Sequence, residues 1–172
     1  MESLSYEECK TFIPILNQAK CVKVYDGDTF HLGTVLPSPY GATRFCVRLL
    51  GVDTPELRST NNAEKSLARE ARNIVKDQIL NKIVDVKASQ YDKYGRLLVR
   101  ITTPSGDDLS QYLIQEKVAV YYDGGKKSQV NWNNLLKQHS EIRSRRITQD
   151  DMEQNVQKNN RNLSTNDACE KV

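Results

Sequence analysis

Three acids and two arginines in this 172-residue chain stand at spacings that suit phosphate chemistry. Asp28 closes the turn Asp26-Gly27-Asp28, and Asp53 and Glu56 bracket Thr54-Pro55 in D-T-P-E. Arg48 lies inside the apolar run R-F-C-V-R-L-L-G-V, and Arg96 follows the tight turn D-K-Y-G. Charge in an apolar strand costs desolvation energy unless something pairs with it. The natural partners of Arg48 are a few residues away, at Asp53 and Glu56. Hard dications such as Ca²⁺ take oxygen ligands, and two carboxylates plus the Thr54 carbonyl leave positions open for water and phosphate. Pro55 keeps Thr54 extended and blocks helical continuation, so Asp53 and Glu56 can face one cavity. Gly51 could admit a bulge that turns Asp53 to the face of Arg48. Taken singly, each piece has an ordinary reading, D-G-D as a turn and D-T-P-E as a helix start. Their conjunction points to a metal-assisted, phosphate-handling site.

These side chains need a scaffold of strands. Residues 2–17 read as a short helical extension, because Ser5 and Glu8 have capping-box spacing and Phe12, Ile13, Ile15 and Leu16 supply an apolar side, with Pro14 counting against it. From Ala19 the period is two. Cys21–Tyr25, Thr29–Leu32 and Thr43–Val52 read as strands, the last two joined by a loop rich in proline. A helix capped by Asn61 or Asn62 runs to Leu80, with Leu67, Ala71, Ile74, Val75 and Ile79 on one side. Its other face carries Lys65, Arg69, Arg72 and Lys76, which a plain solvated face explains. Ile83–Ala88 and Arg96–Ile101 form a hairpin whose turn takes positive φ at Gly95. A second helix at Leu109–Gln115, a short strand at Val118–Tyr122 and a last helix over Asn131–Arg146 complete the domain. The order βββαββα with an extra strand fits an α+β fold, a five-stranded OB barrel with about three packed helices. That divides the chain into an extension at 1–18, a barrel domain at 19–146 and a polar tail at 147–172, expected to be disordered for want of apolar residues.

Composition narrows the class. Charged residues make up 27% of the chain and the net charge is +3, which permits nucleic-acid binding without requiring it. No apolar run approaches the ~20 residues of a membrane span. The acidic start M-E-S-L-S-Y-E-E lacks the features of a secretory signal, which argues for an intracellular protein in cytoplasm, nucleus or virion. Cys9, Cys21, Cys46 and Cys169 show no C-x-x-C spacing, so zinc is disfavoured and Cys21 and Cys46 read as small buried thiols. His31 and His139 have no partner pattern and are read as structural.

With Y-D-G-D-T-F at 25–30, V-R-L-L-G-V-D-T-P-E at 47–56 and D-K-Y-G-R at 92–96, the chain resembles the staphylococcal nuclease-like (thermonuclease) proteins. The resemblance covers about residues 19 to 122, in the family's element order. It implies an OB barrel with three helices and hydrolysis of DNA and RNA phosphodiesters, using Ca²⁺ and leaving 3′-phosphate ends. By it, Asp28 and Asp53 hold the calcium through carboxylates and Thr54 through its carbonyl, with Asp26 supporting them from behind. Arg48 and Arg96 hold the scissile phosphate, Glu56 prepares the attacking water, and Lys93 and Tyr94 line the nucleotide pocket. Arginine's fork matches phosphate geometry, and two arginines with a dication neutralise charge that builds up during attack. Glu56 is then the acid left over for general-base work, whether it takes the proton or only orients the water.

Two departures stand out. The loop between Leu32 and Arg44 is longer than in the best-known member, and the tyrosine-bearing segment is replaced by Y-Y-D-G-G-K-K at 121–127. Tyr122, Lys126 and Lys127 are the candidates there for substrate contacts, against the alternative of a plain surface turn. The expected partner is DNA or RNA, single strands preferred, with a monomer as the default state and no membrane. The alternative reading is a non-catalytic OB-type nucleic-acid-binding module; such domains usually lack the acids or arginines, and this chain keeps them.

Overall fold

The computed structural model describes residues 4–166. Five strands close a barrel: β1 (Gln18–Val24), β2 (Thr29–Leu36), β3 (Gly41–Leu49), β5 (Ile83–Tyr91) and β6 (Leu97–Thr102), in the spatial order β1-β2-β3-β6-β5, with β5 returning to β1. All pairings are antiparallel except β3 with β6, which run parallel and close the barrel. Alternation along the strands sends Phe30, Leu32, Val47, Leu49, Val99 and Ile101 inward, where they are almost wholly buried. The α+β reading and the five-stranded barrel are therefore both present in the molecule.

Helix α1 (Asn62–Ile79) covers the barrel with Leu67, Ala71, Val75 and Ile79. Asn61 caps it, its side chain accepting from the Ala63 and Glu64 amides at 2.9 and 3.1 Å. Helix α2 (Leu109–Gln115) is capped by Asp108. Outside the barrel, β4 (Gly51–Asp53) pairs antiparallel with β7 (Val120–Tyr122), placing Gly51 opposite Tyr122. The expected single strand Thr43–Val52 is thus two strands, broken at Leu50-Gly51. Gly51 has φ +85°, a conformation that L side chains rarely adopt, and Ser110 Oγ donates to the Leu50 carbonyl at 2.6 Å.

Two further expectations need correction. No helix forms over residues 4–17. Ser5 and Glu8 do exchange the capping-box bonds, at 2.9 and 3.3 Å, but only a turn results. Pro14 cannot donate to a helix, and the buried positions Pro14 and Leu16 alternate with exposed Ile13 and Ile15, the period of an extended chain. At the other end, α3 (Trp132–Asn166) does not stop near Arg146. Sparse apolar residues limit packing, but without Gly or Pro after Gly125 nothing in the backbone ends the helix. Residues 167–172 lie outside the described residues. Near its start α3 is held to the domain: buried Glu116 accepts from Arg146 Nη1 and Nη2 at 2.9 and 2.5 Å, and the buried His139 ring meets the Glu116 carbonyl at 2.7 Å. Among the described residues Cys9, Cys21 and Cys46 are free thiols, and burial, against a smaller lowering by the Lys23 backbone, pushes the Cys21 thiol up to about 11. No helix of the described residues is long and apolar enough to cross a membrane.

Candidate active site

The D-G-D turn packs directly on the D-T-P-E segment. A Cβ built on Gly27 would lie 2.9 Å from Thr54 Cγ2 and 3.0 Å from Ala71 Cβ, so only glycine lets the turn approach this closely. Asp26 holds the turn's shape, its Oδ1 accepting from the Asp28 and Thr29 amides at 3.1 and 2.7 Å. Burial, and then the neighbouring Asp28 carboxylate, push the Asp26 carboxyl up to about 6.

Strand β3 delivers Arg48 opposite Thr29 of β2. Its guanidinium spans two buried acids, with Nη1 at 2.6 Å from Asp28 Oδ2 and Nη2 at 3.5 Å from Asp53 Oδ1. Asp28 and Asp53 are only 4% and 6% exposed, so each needs a cation or donors to remain charged. The bend at Gly51 is what carries Asp53 back to Arg48. Arg96 joins the group indirectly: Nη1 donates to Thr29 Oγ1 at 3.0 Å, and Thr29 Oγ1 donates to Asp28 Oδ1 at 2.8 Å. Asp92 holds the other edge of Arg96, its Oδ2 accepting from Nε at 2.8 Å. Burial alone would raise the Asp92 carboxyl; the Arg96 amide and side chain and the Tyr94 amide outweigh it and hold it below the usual range.

A cavity of about 930 Å³ opens beside these arginines, bounded by the D-K-Y-G turn on one side and the β7 segment on the other. Lys93, Tyr94 and Tyr122 line it. The Tyr94 ring centroid is 5.6 Å from the Arg96 guanidinium carbon, and that of Tyr122 is 5.9 Å from the Arg48 carbon. Tyr122 Oη donates to the Gly125 carbonyl at 2.8 Å, which fixes the ring's outer edge.

Glu56 stands apart from the buried acids. Its side chain is 68% exposed and does not line the cavity, and its amide donates to Glu64 Oε1 at 3.1 Å. Lys127 connects the two zones, with Nζ at 2.8 Å from Asp53 Oδ1 and 3.7 Å from Glu56 Oε1. Partial burial works against the ammonium, but Asp53, with Glu56 behind it, outweighs that and raises the Lys127 pKa. Lys127 thus reaches the acids as well as the cavity. Lys126 is exposed and lines neither.

A cation could be held here on two carboxylates and the buried Thr54. Among the described residues no three His, Cys, Asp or Glu side chains form a metal cage. Carboxylate and carbonyl oxygens are the donors a hard dication takes, and at Asp53 Oδ1 a dication would share the place now met by Lys127 Nζ at 2.8 Å and Arg48 Nη2 at 3.5 Å. Sequence reasoning missed Thr29 and Asp92. Both had a signal, Thr29 as the residue following D-G-D and Asp92 as the first residue of the turn that ends at Arg96.

A family model described as staphylococcal nuclease homologue matches residues 46–148. The chain belongs to that family. The matched span begins within β3, so the D-G-D turn lies upstream of it and joins the site through the β2–β3 pairing. Among relatives, an "Uncharacterized endonuclease" of Escherichia coli is 28% identical over 104 residues, covering 60% of each chain. "Uncharacterized protein MJ1439" of Methanocaldococcus jannaschii is 29% identical over 133 residues, covering 64% of this chain and 61% of its own. "Probable endonuclease LCL3" of Nakaseomyces delphensis is 30% identical over 106 residues, covering 59% of this chain and 41% of its own. The staphylococcal nuclease homologue described here therefore spans about 60% of the length of the first two relatives and less of the third.

Proposed function

We propose that this protein is a calcium-dependent nuclease that hydrolyses phosphodiester bonds of DNA and RNA and leaves 3′-phosphate ends, with single strands preferred. One observation carries the reading: Arg48 bridges the two buried carboxylates of Asp28 and Asp53 at the edge of a cavity that also takes Arg96. A binding module has no use for two buried acids beside the phosphate-facing arginines. Family membership and the endonuclease names of relatives support the same class of activity.

In this reading Asp28, Asp53 and the Thr54 carbonyl hold the calcium. When bound, it supplies Lewis-acid polarisation of a phosphate oxygen and balances the buried carboxylates. Arg48 and Arg96 donate to the non-bridging oxygens, whose negative charge grows as phosphorus becomes five-coordinate. Thr29 and Asp92 set the orientation of Arg96 before substrate arrives. Glu56 accepts the proton of the attacking water, the P–O5′ bond breaks, the leaving O5′ takes a proton from solvent water, and the phosphate stays on the 3′ side. Tyr94 and Tyr122 offer ring faces to unpaired bases, which favours single strands.

Digestion of a single-stranded DNA with calcium, and with a chelator in its place, tests the reading directly. Cleavage should depend on calcium and yield 3′-phosphate ends; undiminished cleavage under chelation would rule the metal role out. Lys127 sharpens the test, since its ammonium lies against the same Asp53 oxygen. Lys127→Met should tighten calcium binding roughly two- to fivefold by calorimetry, as expected on losing a partly screened competing charge. An unchanged affinity would show that Lys127 does not compete for the site.

A further inference from the structure

We infer that Lys87 and Arg100 form a second anion subsite on the barrel's outer face, taking a phosphate of the same nucleic-acid strand away from the cleaved bond. This rests on the nuclease reading above and extends its substrate to a strand of several nucleotides. Lys87 of β5 and Arg100 of β6 are directly paired in register, and both are exposed. Like charges directly opposite each other on a sheet repel, so the pair destabilises the hairpin unless an anion lies between. No acid supplies that anion: neither side chain makes an ion pair among the described residues. Asp85, two residues along β5, accepts from Gln18 Nε2 at 2.9 Å, and Asp108 caps α2 through the Gln111 amide at 3.0 Å.

Position makes phosphate the fitting anion. Arg48 stands opposite Leu98 across the parallel β3–β6 pair, and Arg100 is two residues further on the same face, about 7 Å along the strand. Arg48, Arg96 and Arg100 all line the one continuous cavity, and Gln111 of α2 adds an amide at the Arg100 end. A strand whose scissile phosphate rests on Arg48 and Arg96 can therefore continue along the cavity to Arg100, and Lys87, outside the cavity lining, stands beside Arg100 across the β5–β6 pair. Contacts of this kind position the backbone without reading sequence.

The test is strand binding by the full chain in a Glu56→Ala background, whose cleavage is expected to fall to near background. A fluorescent single-stranded 16-mer and a dinucleotide serve as probes over a series of salt concentrations. Lys87→Gln with Arg100→Gln should weaken 16-mer binding roughly tenfold and flatten the log K against log salt slope by about one to two, as for lost phosphate contacts. Dinucleotide affinity should not change. The comparison pair Arg69→Gln with Lys76→Gln removes two charges from α1, away from the cavity, and should have a much smaller effect. Equal 16-mer affinity and slope in the Lys87/Arg100 variant would overturn the inference, as would equal losses in the α1 variant or a parallel loss of dinucleotide binding. A parent protein that binds neither probe would overturn the nuclease reading itself, and this subsite with it.

Discussion

Glu56→Ala should bring phosphodiester cleavage to near background while the protein unfolds at the same temperature as the parent. The Glu56 side chain is 68% exposed and its one charged contact among the described residues is Lys127, at 3.7 Å. An exposed pair of that kind contributes little to stability. Its amide bond to Glu64 belongs to the backbone and survives the substitution. A general base is worth on the order of 10²- to 10⁴-fold in rate, so the loss should be plain in any nuclease assay. Glu56→Gln separates the two roles open to this side chain. It keeps the shape and can still orient water, but it cannot take a proton. Glutamine activity close to alanine activity would identify proton transfer; activity close to the parent would leave only orientation. Parent-like cleavage by Glu56→Ala would remove Glu56 from the mechanism. The measurement pairs initial rates on single-stranded DNA with a thermal melt.

Arg48→Ala should lose turnover and stability together, and that combination distinguishes it from Arg96→Ala. Losing a donor aimed at charge that develops in the transition state costs on the order of 10²-fold or more in turnover for either arginine. Arg48 has a second duty. It faces Asp28 at 2.6 Å and Asp53 at 3.5 Å, both buried, and Lys127 alone cannot serve both acids. Removing one partner from a buried ion pair costs on the order of 3 kcal/mol, because the remaining charge stays desolvated. A calcium-free denaturant titration should show that loss for Arg48→Ala and a much smaller one for Arg96→Ala, whose Asp92 is nearer solvent. Arg48→Lys keeps the charge but not the fork, so it should recover part of the stability and little of the turnover. Full turnover in Arg48→Ala would exclude it from phosphate contact. Unchanged stability would mean that the two acids are satisfied without it.

The barrel was legible because its signals are local. Alternation in β1, β2, β3 and β6 shows which residues face inward, and Gly51 and Gly95 mark places where the backbone must take positive φ. Local signals also misled at both ends. The capping-box residues of Ser5–Glu8 form their bonds but cannot extend a helix past Pro14. For 147–166, low hydrophobicity describes what a segment can bury rather than whether its backbone turns helical.

By itself, the sequence determined the residue types of the site and the short-range geometry of its turns: Asp26 to Asp28, Asp53 to Glu56, and Asp92 to Arg96. Each of these spans only a few residues, so turn chemistry and strand period suffice to orient them. Tertiary structure alone decided which groups meet. Arg48 pairs with Asp28 through the β2–β3 register, Arg96 reaches Asp28 through Thr29, and Lys127 comes to Asp53 along the β4–β7 ribbon. Period tells which face a side chain takes, but not which distant side chain takes the place opposite. That depends on barrel closure through the parallel β3–β6 pairing, which also sets Arg100 on the same face as Arg48.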